Sequence, residues 1–583
     1  MNEQRPSRSS ITMKFHKAFE SLITEIAYQQ DSLDQYWNEP ELLTASEKVR
    51  YFRLIYFRML YFYILREWEY LPRDWFESLL MNEKICSIDD IFREIFSKND
   101  KSKLNVNALL VENLEIIKAL QIFAQPLLNT DEFDVNIDDN NNKRMGSTQL
   151  TTTMRNVAFS KIWETISKFS FTENQTHNEK SELNIIDFNT LGYILEETMD
   201  LCGENRKKSG SYYTPKWVSE YISSRTIENY IIFRLNEKIA QTDSKIKEKY
   251  PSNGKIEEIN QQDHNFSFLD NLNLQNPNEI QFIIENTLTI LNEIKIYDNA
   301  CGAGAFLEPA AEILFDYFKK IHEKNEILTK KLKFPYENLI ESKLHIINRS
   351  IFGMDKNPHA IFLSKIRLLL WILKPDTLQE IKSIGNNKLY YSSNRNNKYL
   401  ENIKIIQEYL AKIKFNLKMG DSLTRKDRDK EEKFDIIIGN PPYGNLLSAS
   451  EKQEFLKEYP HAAPKEIASF FVENAIQTLK PGGFLYYIIT YAITFNTELS
   501  KIRKYLVEAF ENVIIRTFDR DKCRIFSAMT QSVSFLECHN KCRELGTSNK
   551  LAKVYSSEMF RTIPQSPDHI LIEDNEGYLF LSK

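Results

Sequence analysis

Apolar positions recur at three- and four-residue intervals over residues 15–26, 49–65, 88–96 and 109–123, the period of a helix with one buried face. The chain to about residue 185 is therefore expected to be mainly α-helical. The run 51–65 is the most apolar, but Arg53 and Arg58 interrupt it; it predicts a buried, aromatic-rich helix, not a bilayer span. From about residue 290 the pattern changes. Short β-branched runs alternate with longer helical ones: 293–297 then 306–320, 344–354 then 360–373, 434–438 then 468–479, 484–490 then 500–510. This alternation predicts a largely parallel sheet with helices on both faces. Polar stretches at 138–144, 242–264 and 385–397 read as a surface loop, a separator within the central domain and an insertion loop. No internal repeat is visible.

A chain of 583 residues, 42% hydrophobic and 27% charged, has the make-up of a globular protein of two to four domains. Its net charge of −5 excludes a globally basic nucleic-acid binder, so any DNA contact must come from a local basic track. Six scattered cysteines are too few for a disulfide scaffold and fit a reducing cytosol. The polar start, Asn2 to Arg5, lacks the apolar core of a signal peptide. A cytoplasmic protein without membrane attachment is expected.

The sharpest motif runs from Asp435 through three isoleucines to Gly439, Asn440, Pro441, Pro442 and Tyr443. Two prolines cannot continue a parallel strand, so the chain must leave the sheet at its carboxyl edge, where open α/β sheets bind ligands. The Asn440 side-chain carbonyl and the Pro441 backbone carbonyl can each accept one hydrogen of an aromatic amine. Two such bonds localise the nitrogen lone pair for attack on a sulfonium methyl, by positioning and electrostatics. Tyr443 offers a ring on which a flipped base can stack. Asp298, Asn299, Ala300, Cys301, Gly302, Ala303 and Gly304 form a second motif between a strand and a helix. Its glycines allow a tight turn, and the helix start favours a carboxylate. Asp355 ends the next strand, placed for ribose hydroxyls; Asp421 follows another and could accept from an adenine amine. Upstream, Gly210 to Pro215 carries Tyr213 and Thr214 on a loop after Arg206, Lys207 and Lys208. Any one of these is also an ordinary turn or cap. Cys538, His539 and Cys542, with Cys523 nearby, match no standard zinc spacing; no metal is expected. Lys480 to Gly483 reads as the turn between a helix and the next strand.

In this order the five motifs resemble the γ class of N6-adenine DNA methyltransferases, especially type IIG and BREX-type defence enzymes and, more distantly, type I modification subunits. The likeness spans roughly residues 185–540 and includes Leu191 to Glu196, with a fainter echo at Pro126 to Asn129. It implies an α/β fold: a Rossmann-like methyltransferase with a mostly parallel seven-stranded sheet, preceded by an α-helical domain. The domains are then 1–185 (helical), 186–540 (methyltransferase, with insertions near 240–290 and 375–400) and 541–583, a short segment that is the remnant or start of a target-recognition region. It further implies S-adenosylmethionine as cofactor, held by Tyr213, Thr214, Asp298, Ala300, Gly302, Gly304, Asp355, Asp421 and Asn440. Asn440, Pro441, Pro442 and Tyr443 would be catalytic, with Tyr443 and Phe526 stacking on the flipped adenine.

Three departures matter. Asn299 stands where that family usually has proline, and Ala303 where it often has serine. Only about forty residues follow Cys542, so target recognition falls to a partner subunit, to the insertions or to sequence outside this chain. No Glu-x-Lys triplet of the nuclease kind occurs in the first 185 residues, so no cleavage activity is expected. Implied partners are double-stranded DNA, a specificity subunit and a nuclease or helicase subunit, in a restriction-modification or phage-defence system. Two other functions fit parts of the pattern. Protein-glutamine methyltransferases share Asn-Pro-Pro-Tyr, but are short chains without the Tyr-Tyr-Thr-Pro loop. A non-catalytic DNA-binding or scaffold subunit would suit the missing recognition domain.

Overall fold

A computed structural model describes residues 8–80, 91–92, 95, 111–128, 154–172, 184–187, 214–241, 269, 277–325, 336, 339–377, 398–424, 432–518, 532–541, 552–558 and 573–579. The polar stretches at 138–144, 242–264 and 385–397, the basic tract 206–208, Leu191 to Glu196, Tyr213, Cys523, Phe526 and Cys542 lie outside them. The chain divides into two compact units, one of residues 1–203 and 365–414, the other of 204–364 and 415–583. This division falls at 203/204, compared with the sequence boundary at 185/186, and assigns 365–414 to the first unit.

The first unit is helical. Its longest described helix, Ala45–Glu67, opens with a capping box between Thr44 and Glu47, which satisfies two of the amides that a helix start leaves bare. Phe52, Tyr56, Phe57, Tyr61 and Phe62 are buried along it, and so are Arg53 and Arg58. Phe19 from Arg8–Ile23 meets Tyr56 edge-on at 4.5 Å, a favoured aromatic geometry. The Tyr70 hydroxyl donates to the Leu373 carbonyl at 3.0 Å, fastening the 365–414 piece to the N-terminal helices. A short parallel pair, β1 (Phe169–Thr172) and β2 (Asn184–Asp187), completes the unit.

The second unit is built on nine strands: β3 (Ile296–Asp298), β4 (Ile351–Asp355), β5 (Asn416–Met419), β6 (Phe434–Gly439), β7 (Leu479–Thr490), β8 (Phe510–Phe518), β9 (Val533–Lys541), β10 (Ala552–Glu558) and β11 (Glu573–Leu579). Their order is β11-β10-β8-β9-β7-β6-β3-β4-β5. β5, β4, β3, β6 and β7 run parallel to one another, and β9 lies antiparallel between β7 and β8. These seven form the mostly parallel sheet of the sequence reading. The C-terminal β10 and β11, which apolar patterning did not reveal, extend it by two. β3 and β6 are buried at every position, as expected of strands covered on both faces. The chain winds from β3 outward through β4 to β5, then returns to β6 on the other side of β3. That reversal is a topological switch point, and the carboxyl ends flanking it are where such sheets bind ligands.

One sequence expectation needs correction. Lys480 to Gly483 do not separate a helix from a strand, because the strand already begins at Leu479. Phe434 pairs with Leu479 and Ile436 with Phe484, so these four residues bulge opposite Asp435 alone. Lys480 closes the bulge by donating to Asp435 Oδ2 at 2.6 Å, and Gly482 adopts φ +78°.

The helix Lys216–Gln241, which follows Thr214, is tied to β9 by a buried charge cluster. Arg225 Nε donates to Glu537 Oε1 at 2.9 Å, His539 Nε2 lies 2.7 Å from the same oxygen, and Arg516 Nε is 3.6 Å from Oε2. Burial by itself would raise the Glu537 carboxyl, yet Arg225, His539 and Arg516 together hold it well below the usual glutamate range. Removing this carboxylate takes a shared counter-ion from the buried Arg516 and the half-buried Arg225, so Glu537→Ala should lower unfolding free energy by about 3–5 kcal/mol. A carboxyl whose folded value is depressed contributes fully above its ordinary value near 4.5 and progressively less as pH falls below it. Urea unfolding followed from pH 7 down to 3 should show that loss in the wild type and a flatter profile in Glu537→Gln.

Candidate active site

β3 ends in Asp298, almost fully buried, whose Oδ1 accepts the Ala300 amide at 3.0 Å. The backbone then turns through Gly302 (φ +53°) and Gly304 (φ +82°), values at which a side chain would be strained. The Ser364 hydroxyl pins the turn by donating to the Gly302 carbonyl at 2.7 Å, and the helix Leu307–Lys324 follows. Asp355, at the end of β4, accepts the Gly302 amide on Oδ2 at 2.9 Å and the Asn357 amide on Oδ1 at 2.8 Å. Asp421, just past β5, accepts the Leu423 amide on Oδ1 at 2.9 Å and pairs through Oδ2 with Lys356 Nζ at 2.8 Å. Both carboxylates are half-buried.

β6 delivers Asn440 to the same edge. Its Nδ2 donates to the buried Thr214 hydroxyl at 3.1 Å. Pro441 is buried and Pro442 half-buried. Tyr443 is 4% exposed, with its hydroxyl directed at Asn440 Oδ1 and 3.2 Å from the Ile488 carbonyl. Gly444 (φ +88°) ends the loop; its amide donates at 2.7 Å to Glu466 Oε1, and burial pushes the Glu466 carboxyl up.

The motif residues form an unbroken row. Thr214 touches Asn440. The next residue back, Gly439, lies so close to Asp298 that a Cβ there would sit 2.7 Å from Oδ1. Asp298 holds the start of the glycine turn, Gly302 bonds Asp355, and Lys356 reaches Asp421. The predicted residues among those described are thus gathered at the carboxyl ends of β3, β4, β5 and β6. Space is open above both glycine bends, since a Cβ on Gly302 or on Gly444 would meet nothing within 4 Å.

Sequence reasoning missed the polar lattice beneath this row. Asn299 accepts the Tyr487 hydroxyl at 2.6 Å and donates to Asn474 Oδ1 at 3.1 Å. Asn474 Nδ2 donates to the Ser422 carbonyl at 3.0 Å, and the Ser422 hydroxyl donates to the Asn299 carbonyl at 2.5 Å. All four residues are buried, and a buried polar network fully bonded in this way fixes one arrangement. The only local signal was Asn299 itself; its partners lie 123 to 188 residues away in sequence.

Residues 349–526 match the family model of the Eco57I restriction-modification methylase. Among curated relatives, a protein of Methanocaldococcus jannaschii named as a type II restriction enzyme and methyltransferase is 24% identical over 58% of this chain and 37% of its own length. The type II restriction enzyme and methyltransferase RM.Eco57I of Escherichia coli is 29% identical over 38% of this chain and 22% of its own. The chain therefore spans well under half the length of either relative. Among solved structures, the type IIL restriction-modification enzyme MmeI in complex with DNA aligns over 98% of this chain and 61% of that one, with TM-score 0.50 and 13% identity, a likeness of fold. The strands that lead to Asp355, Asp421 and Asn440 thus fall within the region that matches the Eco57I restriction-modification methylase model.

Proposed function

We propose that this chain transfers a methyl group from S-adenosylmethionine to N6 of adenine in double-stranded DNA, within a restriction-modification or phage-defence system. The observation that carries the reading is the continuous row of contacts from Thr214 through Asn440 and Asp298 to Asp355 and Asp421. It sets an acceptor for an amine beside a nest of donors and carboxylates suited to an amino-acid and nucleoside cofactor. The names of the curated relatives support the setting.

The residues fit that cofactor. The glycine turn, open above Gly302, precedes a helix start suited to the methionine carboxylate. Asp355 would meet the ribose hydroxyls and Asp421 the adenine amine, with Thr214 and Ala300 lining the site and Tyr213, outside the described residues, assigned to it from the sequence alone. Bound S-adenosylmethionine supplies an electrophilic sulfonium methyl. Asn440 Oδ1 and the Pro441 carbonyl accept the two hydrogens of the target amine, localising its lone pair without prior deprotonation. Pro442 holds the loop extended, and Tyr443 and Phe526 are proposed to sandwich the base. Target recognition is assigned to a partner specificity subunit, with a nuclease or helicase subunit completing the system. In this reading residues 186–540 form the methyltransferase domain, 1–185 a helical domain and 541–583 a short segment that is the remnant or start of a target-recognition region.

Asn440→Ala should reduce kcat for tritiated methyl transfer to duplex DNA by about 10²–10³-fold, the usual loss when one such group is removed, while cofactor affinity changes far less. No incorporation into any DNA by the wild type, even with neighbouring-gene subunits added, together with absent cofactor binding, would sink the reading; label in protein would transfer it to an amide substrate. Asp355→Ala should weaken cofactor binding by about 10- to 100-fold in calorimetry, as expected for a lost charge-assisted hydrogen bond. It should also destabilise the glycine turn by about 1–3 kcal/mol, because the Gly302 amide loses its acceptor.

A further inference from the structure

We propose that Tyr491 and Phe495 form an aromatic step that stacks on a nucleobase neighbouring the one held at Asn440; the proposal rests on the nucleic-acid reading above. Among the described residues of the second unit, the large apolar side chains that stay exposed are Met419, Tyr491 and Phe495. All three lie at the carboxyl edge of the sheet, Met419 as the last residue of β5 and the two aromatics just past β7. Single exposed apolar side chains need no explanation. Two rings in mutual contact, 5.5 Å apart and tilted 59°, at the edge that carries the site, do. Phe495 is 65% exposed, an unfavourable placement unless a partner covers it.

The step is held in place from below. The Tyr491 amide donates to the Ser532 carbonyl at 3.0 Å, and the Thr490 hydroxyl caps the turn through the Ala492 amide at 3.3 Å. Arg503 clamps its underside, donating to the carbonyls of Ile493 at 3.1 Å and Asn496 at 2.7 Å. Such rings lose little freedom on binding. Their register is set by β6 and β7. Gly439 pairs with Tyr487, so Asn440 is level with Ile488, whose carbonyl the Tyr443 hydroxyl approaches at 3.2 Å. Tyr491 follows three residues farther along, at the start of the turn just past β7, beyond the strand end that is level with Asn440. The local charge suits a nucleic-acid backbone. The helix Ser500–Ala509 that follows exposes Lys501, and Lys504, which lies 3.8 Å from Glu508; the exposed Glu498 is neutralised by Lys465 at 2.7 Å. Flat rings beside cations are the general means of holding bases without reading their identity.

The test uses the full chain with S-adenosylhomocysteine and a fluorescein-labelled duplex carrying one mismatched adenine, which flips at low cost. The Tyr491→Ala/Phe495→Ala variant should bind this duplex about 5- to 50-fold more weakly, and Tyr491→Phe/Phe495→Trp within about twofold of wild type. Cofactor affinity should be equal in all three, showing that the site is intact. Abasic sites flanking the adenine should weaken the wild type but not the alanine variant. Equal DNA affinity of wild type and alanine variant, or the same abasic penalty in both, overturns the proposal. So does a variant that keeps DNA affinity but loses a protein subunit. A wild type that binds cofactor and DNA while the variant is unchanged defeats the aromatic step alone; a wild type that binds neither defeats the nucleic-acid reading and this inference with it.

Discussion

The site depends on how closely β6 can lie against the end of β3. Position 439 is glycine, and a methyl group there would stand 2.7 Å from the Asp298 carboxylate, inside the contact distance of real Cβ atoms. Because nothing projects from Gly439, Asn440 leaves the sheet beside Asp298 and the glycine turn instead of being pushed outward. Topology makes this approach matter. Strands on the two sides of a switch point diverge to either side of the first strand, so their loops open a crevice between them, and a crevice is useful only if both walls are close. A larger residue at 439 would move the wall that carries Asn440, Pro441 and Tyr443 away from the wall that carries Gly302 and Asp355.

The second requirement is that polar groups crowded at strand ends be satisfied without being used up. The Asp355 oxygens each take one backbone amide, so a single carboxylate at the end of β4 braces both the glycine turn and the chain that leaves its own strand. The same economy appears deeper in, where Asn299 uses both ends of its amide, one toward Tyr487 and one toward Asn474. Proline at that position would stiffen the turn through its ring. Asparagine instead reaches the same rigidity by linking the end of β3 to β7, to the helix Ile467–Thr478 and, through Ser422, to the loop after β5.

Much of this was legible in the sequence, for identifiable reasons. The strand at 434–438 was placed to within one residue of Phe434–Gly439, and the helices at 468–479 and 500–510 to within one of Ile467–Thr478 and Ser500–Ala509, because long apolar runs and turn residues are local signals. The strand expected at 344–354 was less well placed. Its first residues form the helix Leu339–His345 and a π turn over Ile346–Ser350, and the strand is only Ile351–Asp355, since short apolar runs do not distinguish the two periods. Strand order is not local at all. That β6 returns beside β3, and that Asn474 and Tyr487 meet Asn299, depends on contacts more than a hundred residues apart. β10 and β11 escaped because Ala552–Glu558 and Glu573–Leu579 are largely polar; their pairing comes from an available sheet edge at β8, not from a pattern of their own.

The burial of Tyr443 bears on how a base amine could find its acceptor. A phenol carries one hydrogen, and the Tyr443 hydroxyl has two acceptors within reach, Asn440 Oδ1 and the Ile488 carbonyl. While Oδ1 is bonded to the phenol, the Asn440 carbonyl is neither bare nor free to rotate, because Thr214 holds its amide end. An amine arriving at Oδ1 would displace the phenol hydrogen, which can turn to Ile488 without moving the ring far. One hydrogen bond is then exchanged for another, and no buried acceptor is left unsatisfied at any stage, a condition whose breach would cost about 1–3 kcal/mol. In the proposed reaction the tyrosine hydroxyl would thus stand in for the substrate amine and keep the asparagine carbonyl aimed until a base amine took its place.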